Sequence, residues 1–512
     1  MKIVTRAQRR QAAALRLPNI LCISIDRINP DLFGAYGATW NSTPAFDALS
    51  TESILFDNFH ATSLDLDALM RAFWRGEEPY SVNLDDEPSD DVPSIFQIMK
   101  ERGYRTFLLS DVENVALSPC VDSDHVERFL LETEEERDEP AESIEETALF
   151  KNFEQLTRFL SSLDDSARID APQPWFAWAH LSGWNERWDF PLTMREEFQD
   201  EGDPAPYAAV RPPYWRREPL ARRVHGRVFR SAEITEDVSI MDDASLHERE
   251  RARLNALDES ERRQSVLEAC AAGVAVFDKT LDGFVELLRE HNLLKNTLFA
   301  LTGTRSLALG APSALGTPGP EDVPSPFYSE ETRLPLMLRL PHKSCATLRL
   351  PTLCGPTDLF ATLRDFPDFA PRLVDPDFWK LEPCEISAVV GKWTLDPEDE
   401  SAAKEESAER DATIEETRRG HNLLELVVDE TRPIHDSIVV VARDKSSLER
   451  AAIFDKWYLK RTPLKKNPED EFAPTERVEL FVQPDDRYCV NDVADRLQDD
   501  AERLTPSLDP QE

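Results

Sequence analysis

Cysteine is scarce in this 512-residue chain. There are seven, an odd number, spread from Cys22 to Cys489 with no C-x-x-C pair. That pattern predicts thiols that act mostly as small buried hydrophobes in a reducing compartment. No stretch approaches the roughly 18 apolar residues of a spanning helix. The basic opening MKIVTRAQRRQAAALRLPN lacks the apolar core of about 7–15 residues found in a secretory leader, so a cytoplasmic protein is expected. Positive charge is also short: 59 Lys and Arg face 98 Asp and Glu, a formal net charge of −39. Such a surface repels phosphate backbones and anionic lipid, which argues against nucleic-acid and membrane partners. No internal repeat is present.

Apolar residues make up 41% of the chain, enough for a sizeable core, and the length suits two or three domains or a large α/β domain with a smaller companion. The organising stretch runs from Pro18 to Gly76. Within it Asn19–Ile25 is nearly all apolar, β-branched at several places and bounded by Pro18 and Asp26, the signature of a strand buried on both faces of a parallel sheet. Asp26 then falls at the carboxyl end of that strand, where open α/β sheets place ligand sites. Further on, the pattern predicts a helix over about 93–101 with Pro93 near its first turn, and a strand over 105–109. A helix over about 146–163 and a strand over 175–181 follow. A long amphipathic helix over 261–290 carries Val266, Cys270, Val274, Phe277, Leu281 and Phe284 on its apolar face. The arginine cluster RPPYWRREPLARRVHGRVFR lies in a polar region of about 186–262, and the overall charge favours its pairing with acidic loops of the same chain. The stretch 396–420 is so charged that it reads as an exposed helix or a disordered insertion.

The motifs along the first half are specific. Asp31, Gly34, Tyr36 and Gly37 spell D-x-x-G-x-Y-G; Thr43, Pro44, Asp47 and Leu49 spell T-P-x-x-D-x-L; Phe56 and Asn58 spell F-x-N. In this order and spacing they resemble the amino-terminal half of the sulfatase family, within the alkaline-phosphatase-like superfamily. The resemblance extends, with interruptions, over about 18–497: TRLPLMLRLP, TDLFATLRDF and ERVELFVQPDDRYCVNDVADR each match a family segment, and Asp278 falls at a shared aspartate. It implies an α/β fold with a mostly parallel central sheet sandwiched by helices, and a smaller C-terminal α+β domain with an antiparallel sheet. The expected boundaries are a basic tail to 17, the first domain over 18–385, the second over 386–497 and an acidic tail over 498–512.

The resemblance also states what a sulfatase needs, and this chain departs from it repeatedly. Family members convert a cysteine or serine in C/S-x-P-x-R to formylglycine, and hold a divalent cation with two aspartates after the first strand plus an aspartate and an asparagine or histidine after a later one. Here Asp26 is followed by Arg27. The nucleophile position falls on Leu66 counted from Asn58, or on Asp67 anchored on Arg71, and neither can form formylglycine. The lysine and histidine of G-K-W-H become Asp111 and Glu113, and the next histidine aligns with about Asn185. The later metal motif reads Thr302, Gly303, Thr304, Arg305, Ser306. The vestigial metal position is therefore Asp26, Arg27, Thr304 and Arg305, with no cofactor expected; calcium would be expected only with the family site intact. Thr62 or Ser63 as a phosphatase-like nucleophile would still lack metal ligands. Ser63, followed by Asp65 and Asp67, reads instead as a helix start.

Two expectations follow for the vacated pocket. Either Arg27 or Arg305 occupies it and pairs with Asp26, joined by Asp65 or Asp67, or both guanidinium groups turn to solvent. Trp184 and Trp188 would lie at the rim and offer stacking to a sugar or an anion. His60, His125 and His180 show no metal-ligand spacing. The functional reading is a sulfatase-like pseudoenzyme that binds a protein or a small anionic or sugar ligand. The rivals are a sulfate or phosphate ester hydrolase with a divergent site, and a structural or regulatory partner protein that uses its acidic surface.

Overall fold

The computed structural model describes residues 17–80, 88, 92–132, 139–166, 173–185, 187–213, 222–224, 227–229, 246–307, 328–373, 420–427, 430, 432–444, 447–464 and 476–509. The strands in chain order begin with β1 (Asn19–Ile25), β2 (Ile54–His60), β3 (Arg105–Ser110), β4 (Glu127–Leu130) and β5 (Trp175–Leu181). A hairpin of β6 (Arg222–Val224) and β7 (Arg227–Phe229) precedes β8 (Thr297–Gly303), β9 (Arg333–Arg339) and β10 (Leu348–Cys354). Apart from the hairpin these form one eight-stranded sheet in the order β10-β2-β9-β8-β1-β5-β3-β4. Every pairing is parallel except those of β9, which runs antiparallel to β2 and β8.

The apolar run in β1 is explained by two cores. Side chains alternate across a strand, so Leu21, Ile23 and Ile25 enter one core while Ile20 and Cys22 enter the other. β5 divides in the same way, with Ala177, Ala179 and Leu181 on the first side and Phe176 and Trp178 on the second. Helices cover both faces: α1 (Pro44–Ser50), α2 (Leu66–Arg75), α3 (Ile95–Glu101), α4 (Ala148–Ser166), α5 (Glu259–Glu290) and α6 (Pro356–Leu373). Phe46 of α1, Phe153 of α4 and Phe277 of α5 fill the first core; Phe73 and Trp74 of α2, Phe96 of α3 and Phe360 of α6 fill the second. Fully burying each such side chain contributes about 1.5–3 kcal/mol relative to leaving it exposed. The sheet is held as a sandwich, and no helix among the described residues is long and apolar enough to cross a membrane.

The motif residues near the start of the chain hold backbone. Gly34 N donates to Thr43 Oγ1 (2.8 Å) and Ala35 N to Asp47 Oδ1 (2.7 Å). A Cβ on Gly34 would sit 2.3 Å from the Asp47 carboxylate, so this close approach needs glycine. Tyr36 Oη donates to Phe56 O (3.2 Å) and accepts from Leu336 N (3.0 Å). Asp278 of α5 accepts from Ala45 N (3.1 Å) and Phe46 N (2.8 Å), satisfying free N–H groups of the first turn of α1.

The second sheet is an antiparallel meander of β11 (Ile438–Asp444), β12 (Ser447–Ile453), β13 (Trp457–Pro463) and β14 (Glu476–Val482). Its edge strand β11 reaches the large sheet's loops: Val441 N donates to Thr62 O (3.1 Å) and Leu64 N to Val441 O (3.2 Å).

Some expectations shift. Ser94 caps α3 through Gln97 N, so Pro93 precedes the cap instead of lying in the first turn. The capping box of Asp258 and Glu261 starts α5 two residues earlier than expected. Within the expected polar region of 186–262, residues 187–213 supply core. Arg195 is wholly buried and donates to the carbonyls of Phe190 (3.2 Å) and Ala209 (3.3 Å), and also to those of Tyr207 and Trp188. Burial pulls its pKa down to about 10. Most of the arginine cluster, and residues 396–419 of the charged stretch 396–420, lie outside the described residues.

Candidate functional site at the strand ends

β1 and β8 are neighbours in register, Ile25 opposite Gly303. The next residues of each strand therefore emerge together at the carboxyl edge: Asp26 N donates to Leu181 O of β5 (3.0 Å) and Thr304 N to Ile25 O (3.0 Å). This brings Arg305 onto Asp26. Arg305 Nε donates to Oδ1 (2.9 Å) and a terminal guanidinium nitrogen to Oδ2, a two-point fork. Arg27 N adds a third donor to Oδ1 (3.1 Å). Asp26 is 1% exposed. Burial by itself would raise its pKa; the charge and hydrogen bonds of Arg305, with Arg27 and His180 adding to them, outweigh this and hold the carboxyl below its usual value.

Arg27 does not form the fork. Its backbone sits in the left-handed region (φ 58°), and its guanidinium donates to Ser306 O (3.2 Å). Arg305 also reaches Leu64 O (3.5 Å). Asp65 and Asp67 are both exposed. Asp65 Oδ1 accepts from Ala68 N (2.9 Å) and caps α2. That is a correction to Ser63 as the helix start: Ser63 is buried, its Oγ accepts from Asp65 N (3.1 Å), and its backbone bridges to Val441. Leu66 opens α2 half-buried.

The other aligned positions serve structure. Arg71 and Arg75, one turn apart, both grip the buried Glu77: Arg71 at 2.6 Å and Arg75 at 2.9 Å. Asp111 accepts from Ser182 N (2.8 Å), Ser182 Oγ (2.6 Å) and Asn152 Nδ2 (2.8 Å), tying the ends of β3 and β5 to α4. Burial, the largest influence, leaves its pKa raised despite those donors. Glu113 is exposed in a four-residue helix, and Asn185 N closes a turn on Ser182 O (2.9 Å).

The tryptophans are not at a rim, and the stacking expectation is withdrawn. Trp184 and Trp188 are 2% and 0% exposed. Trp184 packs on Phe190 and Phe277, and Trp188 on Tyr207. Gly183 makes this burial possible: with φ 51°, its missing Cβ would lie 2.4 Å from Asp26 O, where Trp184 N donates (3.1 Å).

One element of the site escaped the sequence reading. Ser24 Oγ accepts from Trp178 Nε1 (3.0 Å) and lies 3.0 Å from His180 Nδ1. Thr304 Oγ1 lies 3.4 Å from the same Nδ1. Burial is the main cause that lowers the His180 pKa to about 4, so the ring is neutral at physiological pH. The signal was a polar residue interrupting each of two adjacent buried strands in register, Ser24 opposite His180. His60 is likewise buried, against Thr332 Oγ1 (3.2 Å).

A divalent cation does not fit this donor set. A hard cation wants several oxygen ligands; here the buried carboxylate of Asp26 is forked by a guanidinium and followed by a second arginine. Among the described residues no group of three or more His, Cys, Asp or Glu gathers in metal-holding geometry.

A mostly parallel sheet sandwiched by helices, with a site at the carboxyl strand ends and a small antiparallel domain behind it, defines an alkaline-phosphatase-like hydrolase fold. The chain belongs to the sulfatase family, whose model matches residues 18–366. Among solved structures, BT4656, in complex with its substrate D-glucosamine-2-N,6-O-disulfate, is 14% identical with a TM-score of 0.62, over 96% of this chain and 97% of its own. The phosphonate monoester hydrolase of Agrobacterium radiobacter is 15% identical with a TM-score of 0.59, over 96% and 94%. BT1596, a 2-O GAG sulfatase, is 14% identical with a TM-score of 0.56, over 96% and 92%. At these identities the likeness is one of fold. No curated protein matches the chain.

Proposed function

We propose that this sulfatase-family protein is a pseudoenzyme: it does not hydrolyse sulfate or phosphate esters and works by binding, in the reducing cytosol. The observation that carries the reading is the Arg305–Asp26 fork, a permanent cation on the one carboxylate retained from the expected metal pair. A guanidinium keeps its proton throughout the accessible pH range, so titration does not free Asp26. The nucleophile segment supports the same reading, because Leu66 and Asp67 supply no formylglycine precursor and Thr62–Leu64 is stitched to β11. Six cysteines described as free thiols accord with a reducing compartment. The ligand is a protein or a small anionic or sugar molecule, with Arg27 and Arg305 as the fixed positive charges of the site.

The test is metal content by mass spectrometry after dialysis against calcium, magnesium and manganese in turn, run beside turnover of 4-nitrophenyl sulfate and phosphate. Substoichiometric metal and no turnover are expected. Stoichiometric metal with turnover, both lost in Asp26→Ala, would establish the rival, an ester hydrolase of the kind its structural neighbours represent.

A further inference from the structure

One carboxylate sits at a junction between the two sheets. Asp358, in the first turn of α6 and 0% exposed, accepts from Gly355 N (2.7 Å), His421 N (2.8 Å) and His435 Nε2 (2.9 Å). His421 lies in the segment 420–427, which packs Leu423, Leu424 and Leu426 into the second core. Leu423 N ties the same segment to α6 again through Thr362 Oγ1 (2.8 Å). His435 lies just before β11. That strand keeps a seven-residue register with β12, whereas it meets the large sheet's loops in a short bridge, Val441 N on Thr62 O and Leu64 N on Val441 O. A contact of that size opens locally at less cost than the whole fold. The small sheet is anchored elsewhere as well, Arg487 on Asp31 and Ser329 Oγ on Arg487 O (3.0 Å), so opening here stays confined to the junction.

Among the described residues, the groups that face His435 are Asp358 of α6, Glu78 of the loop after α2, the neighbouring Asp436 and the His421 ring. Glu78 accepts from Thr357 Oγ1 (2.6 Å). The His421 ring stands edge-on, 5.0 Å between centroids, with Glu425 and Arg432 bearing on it in turn. Both rings line a cavity of about 580 Å³ at the amino end of α6.

We propose that Asp358 and His435 form a proton-operated latch on this junction: charged His435 holds the connection into β11 against α6, and loss of its proton loosens it. A charge-assisted hydrogen bond is about twice as strong as a neutral one. The neutral ring can keep its hydrogen on Nε2, so neutralisation weakens the contact without abolishing it. Asp358 retains two backbone donors, so the loosened state leaves no bare buried carboxylate. Burial lowers the His435 pKa, while the hydrogen bond and charge of Asp358, with Glu78 and Asp436, raise it, for a net rise. The His421 ring is lowered, by burial first and then by His435, so His435 carries the proton. With its folded pKa raised, the latch is fully present below the unfolded value of about 6.5 and is lost as pH rises through the folded value.

The experiment is amide hydrogen exchange on the full chain, read as protection relative to the intrinsic rate at each pH. The His421, Val441 and Leu64 amides should exchange faster than those of β1 and β8, which open only with the whole fold. Their protection should fall about fivefold from pH 6 to pH 9, the difference between a charged and a neutral hydrogen bond. His435→Gln keeps a donor at the place of Nε2 and removes the titration, so its protection should be equal at the two pH values. Should that variant fail to fold, the wild-type ring titration by NMR decides, because its midpoint must coincide with the midpoint of the protection change. Junction amides as slow as those of β1, protection unchanged with pH, a pH step that persists in His435→Gln, or discordant midpoints would overturn the latch. None of these outcomes depends on whether the strand-end site hydrolyses esters.

Discussion

Asp26 and Asp358 are both aspartates withdrawn from water at 1% and 0% exposure, and each is closed by a cation of a different kind. Asp26 meets Arg305, a planar fork whose charge does not titrate. Asp358 meets His435, a titratable ring whose pKa burial lowers and this pairing raises, for a net rise, and keeps two backbone N–H donors besides. The first arrangement is a permanent ion pair at the carboxyl ends of β1 and β8. The second stays adjustable and borders an open cavity.

The comparison can be broken at Arg305. Arg305→Ala removes the fork from a buried carboxylate and should cost about 3–5 kcal/mol by urea unfolding, with a penalty that is the same at pH 6 and pH 9. The double change Asp26→Leu with Arg305→Met should recover most of that loss, since an apolar pair of similar volume avoids the desolvation of both charges. A small loss in Arg305→Ala would mean that the fork is not what closes the site.

Gly183→Ala tests the neighbouring turn. It forces a Cβ onto Asp26 O in a left-handed conformation, and should cost at least about 1–3 kcal/mol while releasing Trp184 fluorescence to solvent.

His435→Ala should cost about 1–3 kcal/mol at pH 6 and less at pH 9. The folded pKa of His435 is raised, so its contribution is fully present below the unfolded value of about 6.5 and is lost as pH rises through the folded value. A penalty equal at both pH values would erase the distinction from Arg305.

The last effect is a slope with pH. His180 has a folded pKa of about 4, below its unfolded value. The unfolded chain therefore takes up the extra proton, and stability falls by about 1.4 kcal/mol per pH unit for this ring as pH drops from about 6.5 toward 4. His60, lowered to about 3 mainly by burial, adds a similar slope, so His180→Asn should reduce the acid sensitivity by the share of one ring, about 1.4 kcal/mol per pH unit in this range. Asp26, lowered in the fold, gives up its share only as pH falls below the unfolded value of about 3.9 and through the folded one.

The fold was legible because its signals are local and redundant. The β1 run of Asn19–Ile25, the α5 stripe through Val266 and Phe277, and the motif around Gly34, Thr43 and Asp47 each follow from periodicity or from a backbone contact that few residues can make. The site was legible only in part. That Arg27 follows Asp26 and Arg305 follows Thr304 can be seen in the chain; that Arg305 and not Arg27 forks Asp26 goes with φ 58° at Arg27, whose guanidinium meets Ser306. Trp184 and Trp188 looked like a rim because loop aromatics carry no mark of which way they face.

What the sequence determined by itself was the family scaffold, the acidic charge and the residue types that stand after β1 and β8, since these are properties of residues and their spacing. What only the tertiary structure decided was partnership across long separations: Asp26 with Arg305, Ser24 with His180, Asp358 with His435. Each pair joins positions more than 70 residues apart, brought together by strand register and helix packing, and spacing along the chain cannot encode which buried charge finds which.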